Sequence, residues 1–461
     1  MKMKHVVLTV CFAVPGVFAC AQSVTVGAAG TYPTISAALT AVQTDPAGPD
    51  IITILDIGPY NEAGQLLITG DPNDNDLTIQ ASAGVRPLVI SDFNGDGVIA
   101  IIKNGNTTVK DLILIPAVGE IGTRPQAAVL IDDEVSDTGF NIFLNNILIT
   151  SNDGTNQPVC SLDGLTSPTI DPGLAYTFRD EGVYSLSNTN TQLHKTLLTD
   201  VIVCGLFGDQ GSDCFRTLLD GTPGSEFVVG EGCVGSYTLG ISSVNAGFQP
   251  GGNEGGATTV RVRGTEAKPV KLINNYMNGM NMTNTTVAPS TKTLEWAIIA
   301  NNSKYGLATG DFNEDIDFKN VTIANNGLEC IYATSTFSGT YTASNCIFAG
   351  DGNDGATDVI KVITSSTGVM FVNDSAIVLN GPQKLDTANF DHDGLNDSTP
   401  SNVFKTNVLD QDPKFVSIAS ANAEFYTVAN PAFGTAGPGG TPLRGGGKYN
   451  PAAGVSDWTM Y

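Results

Sequence analysis

Acidic and amide side chains recur at alternate positions in two short stretches, a spacing that calcium loops use. In DFNGDGVI, Asp92, Asn94 and Asp96 take loop positions 1, 3 and 5, and Gly97 follows at position 6. Ca²⁺ requires hard oxygen ligands at such positions, with glycine at the sharp turn. Lys103 stands at position 12, where an EF-hand carries a bidentate glutamate, so this stretch is not an EF-hand.

The stretch NFDHDGLND repeats this pattern further along the chain. Its oxygen donors are Asn389, Asp391, Asp393 and Asp397, and Gly394 stands at the turn. The alternative for both stretches is a set of Asx turns, in which Asp and Asn side chains bond their own backbone. We predict that both loops bind Ca²⁺, which would be the only cofactor.

Basic side chains concentrate in VRVRGTEAKPVK, which contains Arg261, Arg263, Lys268 and Lys271. Arg261 and Arg263 share one face of a strand, because side chains alternate with a period of two. The stretch is therefore a candidate polyanion-binding site. The alternative is an ordinary solvated strand face.

Other catalytic patterns are weak. Asp132 and Asp133 form the only carboxylate pair of a glycosidase-like appearance, but neighbouring residues on a strand point to opposite faces. The segment is interpreted as a solvated acidic turn. After residue 21 the histidines are His194 and His392, and neither lies in a nucleophile elbow, so serine hydrolase chemistry is not expected.

The charge balance limits the partners. The chain has 22 Lys and Arg against 46 Asp and Glu, a formal net charge of −24. Nucleic acid and anionic membrane surfaces would be repelled by such a molecule. A polysaccharide or cell-envelope surface remains as a partner, with a cation bridging any acidic glycan.

The first 21 residues are predicted to be a signal peptide. Lys2 and Lys4 precede a short apolar run, and Ala19-Cys20-Ala21 supplies small residues for cleavage. The alternative is a lipoprotein acylated at Cys20; either way the protein is secreted or reaches the cell surface. No later run approaches about 18 apolar residues, so the mature chain is expected to lack a transmembrane segment.

Cysteine usage agrees with export, because an oxidising compartment permits disulfides. We predict that the mature protein has no free thiol, although the sequence does not give the pairing. The cysteines concerned are Cys160, Cys204, Cys214, Cys233, Cys330 and Cys346.

An Asn or Asp repeatedly precedes a short apolar alternation, as in FKNVTI around Asn320. Such residues tolerate the left-handed conformation and can form a sharp corner between two strands. An irregular repeat of this kind indicates a solenoid. Its other members centre on Asp111, Asn146, Asp200, Asn275, Asn345 and Asp374. The positions predicted to be buried are Ile147, Ile149, Val201, Val203, Val321 and Ile323.

A helix should cover one open end of the solenoid. After the strand-like VTVG, the pattern predicts a helix over Pro33–Thr44. Ile35, Ala38, Leu39 and Val42 recur at helical spacing and form one apolar face.

VGAAGTYPTISAAL and the Asn-led strands resemble right-handed parallel β-helix proteins of the pectin-lyase-like superfamily. The resemblance implies an all-β solenoid with an N-terminal capping helix. Together with the residue patterns, the resemblance predicts a signal peptide (1–21), a cap with the helix (22–56), a parallel β-helix (57–400) with a long glycine-rich loop excursion (205–259), and a closing segment and tail (401–461). The closing segment is expected to become a weakly ordered tail after Gly437.

The superfamily includes enzymes and plain surface proteins, so the fold does not decide the activity. The His-Gly pair and the Arg-x-Lys motif of its polygalacturonase-like branch are absent from this sequence. We therefore expect an exported protein with a structural or adhesive role that contacts polysaccharide with Ca²⁺. The alternative is a polysaccharide lyase or glycoside hydrolase, and the sequence leaves open whether the protein is an enzyme.

Overall fold

The structure is a computed structural model. It describes residues 22–70, 73, 75–91, 97–102, 105–116, 127–132, 140–151, 160, 181–187, 194–208, 213–219, 225–240, 246–251, 259–282, 291–309, 315–333, 339–350, 359–362, 369–379, 403–409, 411, 413–418 and 425–452.

The strands form a coil with three faces. A 20-stranded sheet is bent lengthwise into face 1 and face 2, and a 10-stranded sheet forms face 3. Strands on neighbouring turns of the coil pair in parallel on every face. This is the predicted parallel β-helix, and we call each turn of the coil a rung.

The strands are numbered in chain order. Those confined to face 1 are β1 Ser23–Val26, β2 Asp50–Ile54, β5 Leu77–Ala81, β8 Thr107–Lys110, β16 Glu226–Gly230, β20 Thr259–Arg263, β27 Thr340–Ser344, β30 Val369–Asn373 and β32 Val403–Thr406. Those confined to face 2 are β3 Tyr60–Glu62, β6 Leu88–Ser91, β9 Ile113–Ile115, β17 Val234–Ser236, β21 Val270–Ile273, β28 Ile347–Gly350 and β31 Ala376–Leu379. Those that bend from face 1 into face 2 are β11 Phe140–Thr150, β13 His194–Cys204, β23 Thr291–Ala300 and β25 Asp315–Ala324.

Face 3 and a short additional sheet complete the coil. The strands of face 3 are β4 Leu66–Ile68, β7 Ile99–Ile101, β10 Val129–Asp132, β12 Val183–Ser187, β15 Phe215–Leu219, β19 Ala246–Gly251, β22 Asn278–Met282, β24 Leu307–Thr309, β26 Ile331–Ala333 and β29 Ile360–Val362. The additional two-stranded sheet pairs β14 Phe207–Gly208 with β18 Leu239–Gly240.

The corner between faces 1 and 2 is formed by the Asn and Asp residues of the repeat. Asn320 has a φ of 54°, and the equivalent residues on other rungs are also left-handed. The amide of Asn146 donates to the carboxylate of Asp111 at 2.7 Å, and that of Asn345 donates to Asn320 at 2.6 Å. The corner thus combines a tolerated backbone conformation with side-chain bonds between rungs.

A second line of left-handed residues marks the corner between faces 2 and 3. It includes Asn274, Asn301 and Asn325. The prediction placed the bend at Asn275, which is one residue too far along the chain. Asn275 is instead buried, and its amide donates to the Oδ1 of Asn302 at 2.9 Å.

The interior of the coil is apolar. All six residues predicted to be buried are completely inaccessible: Ile147, Ile149, Val201, Val203, Val321 and Ile323. They lie immediately after a corner, where alternate side chains point into the coil. Burial of apolar side chains such as these makes the main favourable contribution to the free energy of folding.

The capping helix α1 spans Ile35–Thr44, and its predicted apolar face is buried. The Thr34 hydroxyl accepts from the amide of Ala37, as an N-cap should. The buried carboxylate of Glu62 accepts from the Ile35 amide at 2.8 Å, which joins the helix to face 2. Among the described residues, no helix has the length and apolarity that a membrane crossing needs.

The boundaries of the coil differ from the prediction. Strand β1 already pairs with β2, and β2 pairs with β5, so the segment assigned to the cap contributes two rungs of face 1. The segment 205–259 is not a loop excursion in its described part, because β15, β16, β17 and β19 pair there with strands on both neighbouring rungs. Glycine in this segment permits close packing of rungs rather than a loop: a Cβ on Gly235 would lie 3.0 Å from Cys214.

The C-terminal segment is the second correction. Residues 413–418 and 425–452 fold back along the outer side of face 2, and they include two 3₁₀ helices, Pro431–Thr435 and Pro438–Gly440. Tyr426, Phe433 and Leu443 are fully buried there in a second apolar core. The segment after Gly437 therefore packs on the coil in its described part, which reaches residue 452, and we call residues 413–418 and 425–452 the covering segment.

Polar contacts fix the covering segment to the coil. The guanidinium of Arg444 donates to both carboxylate oxygens of Glu266 at 2.6 and 2.8 Å, and it lies over the ring of Trp296. The amide of Gly446 donates to the Thr322 hydroxyl at 3.1 Å. A Cβ at Gly446 would lie 2.0 Å from a backbone oxygen of face 2, so only glycine permits this approach.

The prediction of no free thiol is wrong. Cys160 and Cys204 form a disulfide, whereas Cys214, Cys233, Cys330 and Cys346 are buried and form no disulfide. All four belong to the main apolar core. A buried free cysteine behaves as a small apolar side chain, which explains the absence of pairing.

Candidate functional site on face 3

The outer side of face 3 carries a line of polar and aromatic side chains. Tyr184 on β12 lies between buried neighbours and points outward, and Arg216 on β15 does the same. Their backbone positions are register partners, and Gln249 on β19 is the next partner in the line. Successive members of such a line are about 4.8 Å apart, the spacing of adjacent strands.

Arg216 joins this line to a buried carboxylate. Its Nη1 donates to Glu181 Oε1, while its Cζ lies 5.1 Å from the centre of the Tyr184 ring. The Glu181 side chain is 1% exposed and that of Arg216 is 32% exposed. The second oxygen of Glu181 is buried and has no hydrogen-bond partner within the described ranges. The guanidinium therefore bridges a buried acid and an outward-facing ring.

Asp213 supplies a second buried carboxylate beside the first. It precedes β15 as Glu181 precedes β12, so the two acids lie on neighbouring rungs. Burial raises the pKa of Asp213 well above its ordinary value, and the negative charge of Glu181 raises it further. Asp213 Oδ1 accepts from the amide of Ala246 at 2.7 Å. The pair thus places an acid that resists ionisation beside one that is hydrogen-bonded to Arg216.

Close packing of the rungs holds the two acids together. Gly182 follows Glu181, and a Cβ at this position would lie 2.3 Å from Val203 and 2.6 Å from a backbone oxygen of Cys214. A larger residue would force the rungs apart. Burial also raises the pKa of Tyr184 to about 12, so its hydroxyl stays protonated at neutral pH.

Asp132 is the member of the predicted carboxylate pair that the structure describes. It is 7% exposed at the end of β10, the rung before Tyr184. Its charge contributes to the raised pKa of Tyr184, which places it in the same electrostatic environment as Glu181. Asp133 lies outside the described residues. The interpretation of Asp132 as a solvated turn residue is wrong, because its side chain is buried.

A stacked pair of tyrosines lies further along face 3. Tyr332 on β26 points outward between the buried Ile331 and Ala333. Its ring stacks on that of Tyr305, with the ring centres 4.6 Å apart and the planes 13° from parallel. Both rings are half-buried, so each retains an accessible edge or face.

The predicted basic site is distributed over two faces. Arg261 and Arg263 point outward from face 1, as predicted, and Arg261 Nε lies 3.0 Å from Glu226. Lys268 Nζ lies 2.7 Å from Asp200 at the corner. Lys271 lies on face 2, 5.8 Å from the Phe425 ring of the covering segment. The four residues do not form one surface, and polyanion binding stays a prediction.

The calcium predictions concern residues outside the described part of the chain. They are Asp92, Asn94, Asp96, Asn389, Asp391, Asp393 and Asp397. Where the structure describes the chain, no group of three His, Cys, Asp or Glu residues could hold a metal ion. Ca²⁺ binding therefore stays a prediction from the sequence.

A cavity of about 420 Å³ opens at the capped end of the coil, beside Asp56, Tyr60 and Glu62. The acidic side chains that line this cavity form hydrogen bonds that stabilise the fold. Asp56 accepts from the Tyr60 hydroxyl at 2.7 Å, and this bond and the amide of Ala28 lower the pKa of Asp56. Glu62 accepts from the first amides of α1.

The sequence analysis missed Glu181, Tyr184, Asp213, Arg216 and the tyrosine stack. The usable signal was the alternation in VYSLS and FRTLL, where one polar or aromatic residue stands between inward-facing ones. Nothing in the sequence showed that Tyr184 and Arg216 are neighbours, because the connection between their strands is irregular.

The fold and this surface define a parallel β-helix protein with a polar, aromatic outer face. Neither the protein-family models nor the curated protein sequences give a match to the chain. Among solved structures, the chain is similar to a GH136 lacto-N-biosidase from Eubacterium ramulus, crystallised as the selenomethionine derivative, with a TM-score of 0.38 and 10% identity. The similarity covers 84% of this chain and 67% of that chain, and it carries no information about activity.

Proposed function

We propose that this is an exported protein that binds a glycan along the outer side of face 3. The observation that carries the proposal is the line from Tyr184 through Arg216 and Gln249, continued on later rungs by the Tyr305–Tyr332 stack. Binding surfaces for small polar ligands combine aromatic rings with a few fixed polar groups. Rigid strands hold each of these groups in place.

Charge favours a neutral glycan. The molecule has a net charge of −24, and the Arg216 charge is already compensated by Glu181. An acidic chain would therefore meet long-range repulsion on its approach to this molecule. Tyrosine rings and amides require no charge on the ligand: they offer apolar faces and hydrogen bonds.

Hydrolysis is a second candidate, favoured by the raised pKa of Asp213 beside Glu181. Glycosidases use one carboxylic acid to protonate the leaving oxygen and one carboxylate to activate water or attack the sugar. Asp213 would be the acid and Glu181 the second carboxyl group. Burial of both side chains means that a substrate would have to reach them beside Arg216, its partly exposed neighbour.

The test is affinity electrophoresis and calorimetry with soluble neutral oligosaccharides, together with an assay for new reducing ends. We expect Tyr184→Ala and Tyr332→Ala each to weaken binding about tenfold, which is the loss of roughly 1.4 kcal/mol. Tyr276→Ala removes a 47% exposed tyrosine at the corner before face 3 and is the matched control.

Equal affinity of all three variants and the unmodified protein would contradict the proposal. New reducing ends that disappear in Asp213→Asn would establish the second candidate. Export through residues 1–21 and Ca²⁺ binding by the two acidic loops belong to the same proposal and rest on the sequence alone.

A further inference from the structure

The first six strands of face 1 have an outer side without acidic residues. These strands are β1, β2, β5, β8 and the first halves of β11 and β13, all of which the structure describes. Their outward positions hold Ser, Thr, Asn, Gln, Ile, Leu and Phe, together with Lys110 and Lys195. Thr25 and Thr53 are register partners, as are Thr78 and Thr108.

This composition is unusual for the molecule, which has 46 Asp and Glu residues. The outer side of face 1 regains charge immediately afterwards, with Glu226 on β16, Glu295 on β23 and Asp317 on β25. The acid-free area is therefore a bounded region of one face. We call it the neutral patch.

Two large apolar side chains stand on the last two strands of the neutral patch, β11 and β13. Phe143 is 40% exposed and Leu197 is 37% exposed, and they are register partners on adjacent strands. The same positions on the two preceding strands are Thr78 and Thr108. The neutral patch thus presents rows of hydroxyls beside an apolar pair, on rungs spaced about 4.8 Å apart.

We propose that the neutral patch docks on the surface of an insoluble neutral polysaccharide. A flat solid removes water from every side chain that it covers, and the free-energy cost of this desolvation is largest for a charged side chain. Uncharged hydroxyls and amides exchange water for the hydroxyls of the solid at little cost, while Phe143 and Leu197 bury apolar area. An anionic surface fits less well, because the net charge of −24 of the whole molecule repels it more strongly than the two lysines of the neutral patch attract it.

The partner belongs to the chemical class given in the proposed function, but the surface is different, so the two ideas can fail separately. The experiment is co-sedimentation of the full mature protein with microcrystalline cellulose and with crystalline chitin. Thr108→Glu places a charge within the neutral patch, and Thr108→Ser is its matched control. The double variant Phe143→Ser, Leu197→Ser removes the apolar pair without touching the interior.

We expect at least a tenfold fall in the bound fraction for Thr108→Glu and for the double variant. Thr108→Ser should bind the solid as the unmodified protein does. Melting curves would confirm that each variant is folded. The proposal is overturned if the unmodified protein binds neither solid, or if both disruptive variants bind as well as it does.

Other occupants have their own signatures. A dimer in sedimentation velocity that Thr108→Glu disperses would assign the neutral patch to a second copy. Binding to vesicles of anionic lipid that Lys195→Ala abolishes would assign it to a charged surface. Either result would overturn the proposal, whereas loss of soluble glycan binding in Tyr184→Ala concerns face 3 alone.

Discussion

The two halves of strand β25 differ in whether their outward-facing side chains are exposed or buried. From Asp315 to Lys319 on face 1, side chains alternate between the coil interior and solvent. From Val321 to Ala324 on face 2, all four side chains are buried. The left-handed Asn320 separates the two halves. One strand therefore faces an open surface before the corner and a covered one after it.

The difference lies in what the outward positions carry. On face 2 they include Ile298, Ala300 and Ala324, which are apolar and pack against Phe415, Tyr426 and other residues of the covering segment. On face 1 they are mainly polar or charged, and large apolar side chains among them, such as Phe143, Leu197 and Phe371, are partly exposed. The recurrence of apolar residues at every second, inward-facing position is enough to specify the coil. The outward-facing residues determine whether a face is exposed to solvent or covered by another segment.

The largest expected effect is on the covered face. Tyr426 is fully buried, and its ring packs edge-on against Phe415 and Phe425. We expect Tyr426→Ala to lower the free energy of unfolding by about 3–5 kcal/mol, because it leaves a cavity in the second core. Urea denaturation measures the loss.

The comparison variant is Phe371→Ala on face 1, where the ring is 39% exposed. Its cost should be about 1 kcal/mol or less, because most of a large core penalty comes from complete burial. Similar losses in the two variants would mean that the covering segment does not stabilise face 2.

A smaller effect is expected at the corner between faces 2 and 3. The Oδ1 of Asn302 accepts from Asn275, and its Nδ2 donates to Asn326 at 2.9 Å. Asn302→Ala would remove both bonds and would leave the buried backbone amide of Asn275 without its acceptor, at a cost of about 1–3 kcal/mol. Asn145→Ala, on the half-buried outer side of face 1, is the control and should be close to neutral in the same denaturation measurement. An equal loss in both would remove the special role of the buried amides.

The smallest effect is expected for the ion pair of the covering segment. Arg444 is 26% exposed and Glu266 is 55% exposed, so solvent and salt screen their attraction. We expect Arg444→Ala to cost about 1 kcal/mol, including the contact with the Trp296 ring. Glu266→Gln should cost less, since the ring contact remains. A loss as large as that of Tyr426→Ala would show that charge, rather than burial, holds the segment.

Local signals predicted the coil well. Asn320 and its equivalents stand before an apolar alternation, and both the corner and the buried residues follow from that pattern. The helical spacing of Ile35, Ala38, Leu39 and Val42 likewise predicted α1. These features depend on residues close together in the sequence, so a single sequence is enough to find them.

The covering segment and the site could not be found in this way. In the sequence, LRGGGKY resembles a flexible tail. The requirement for glycine is visible only in the structure, where Gly446 lies against the backbone of face 2. Tyr184 and Arg216 become neighbours only through the register of β12 and β15. Irregular connections between rungs hide that register, so the composition of each outer face cannot be derived from spacing.

The covering segment also affects the order in which parts of the protein fold during synthesis. Arg444 contacts Glu266 across 178 residues, and Tyr426 contacts Asn301 across 125. In a solenoid, each rung needs only its neighbours and can form as the chain emerges. The outer side of the later part of face 2 is different, since its apolar residues are covered by residues that follow them far along the chain. Until the covering segment has been synthesised and has docked, this surface is exposed to other chains, so the covering segment protects the molecule from aggregation.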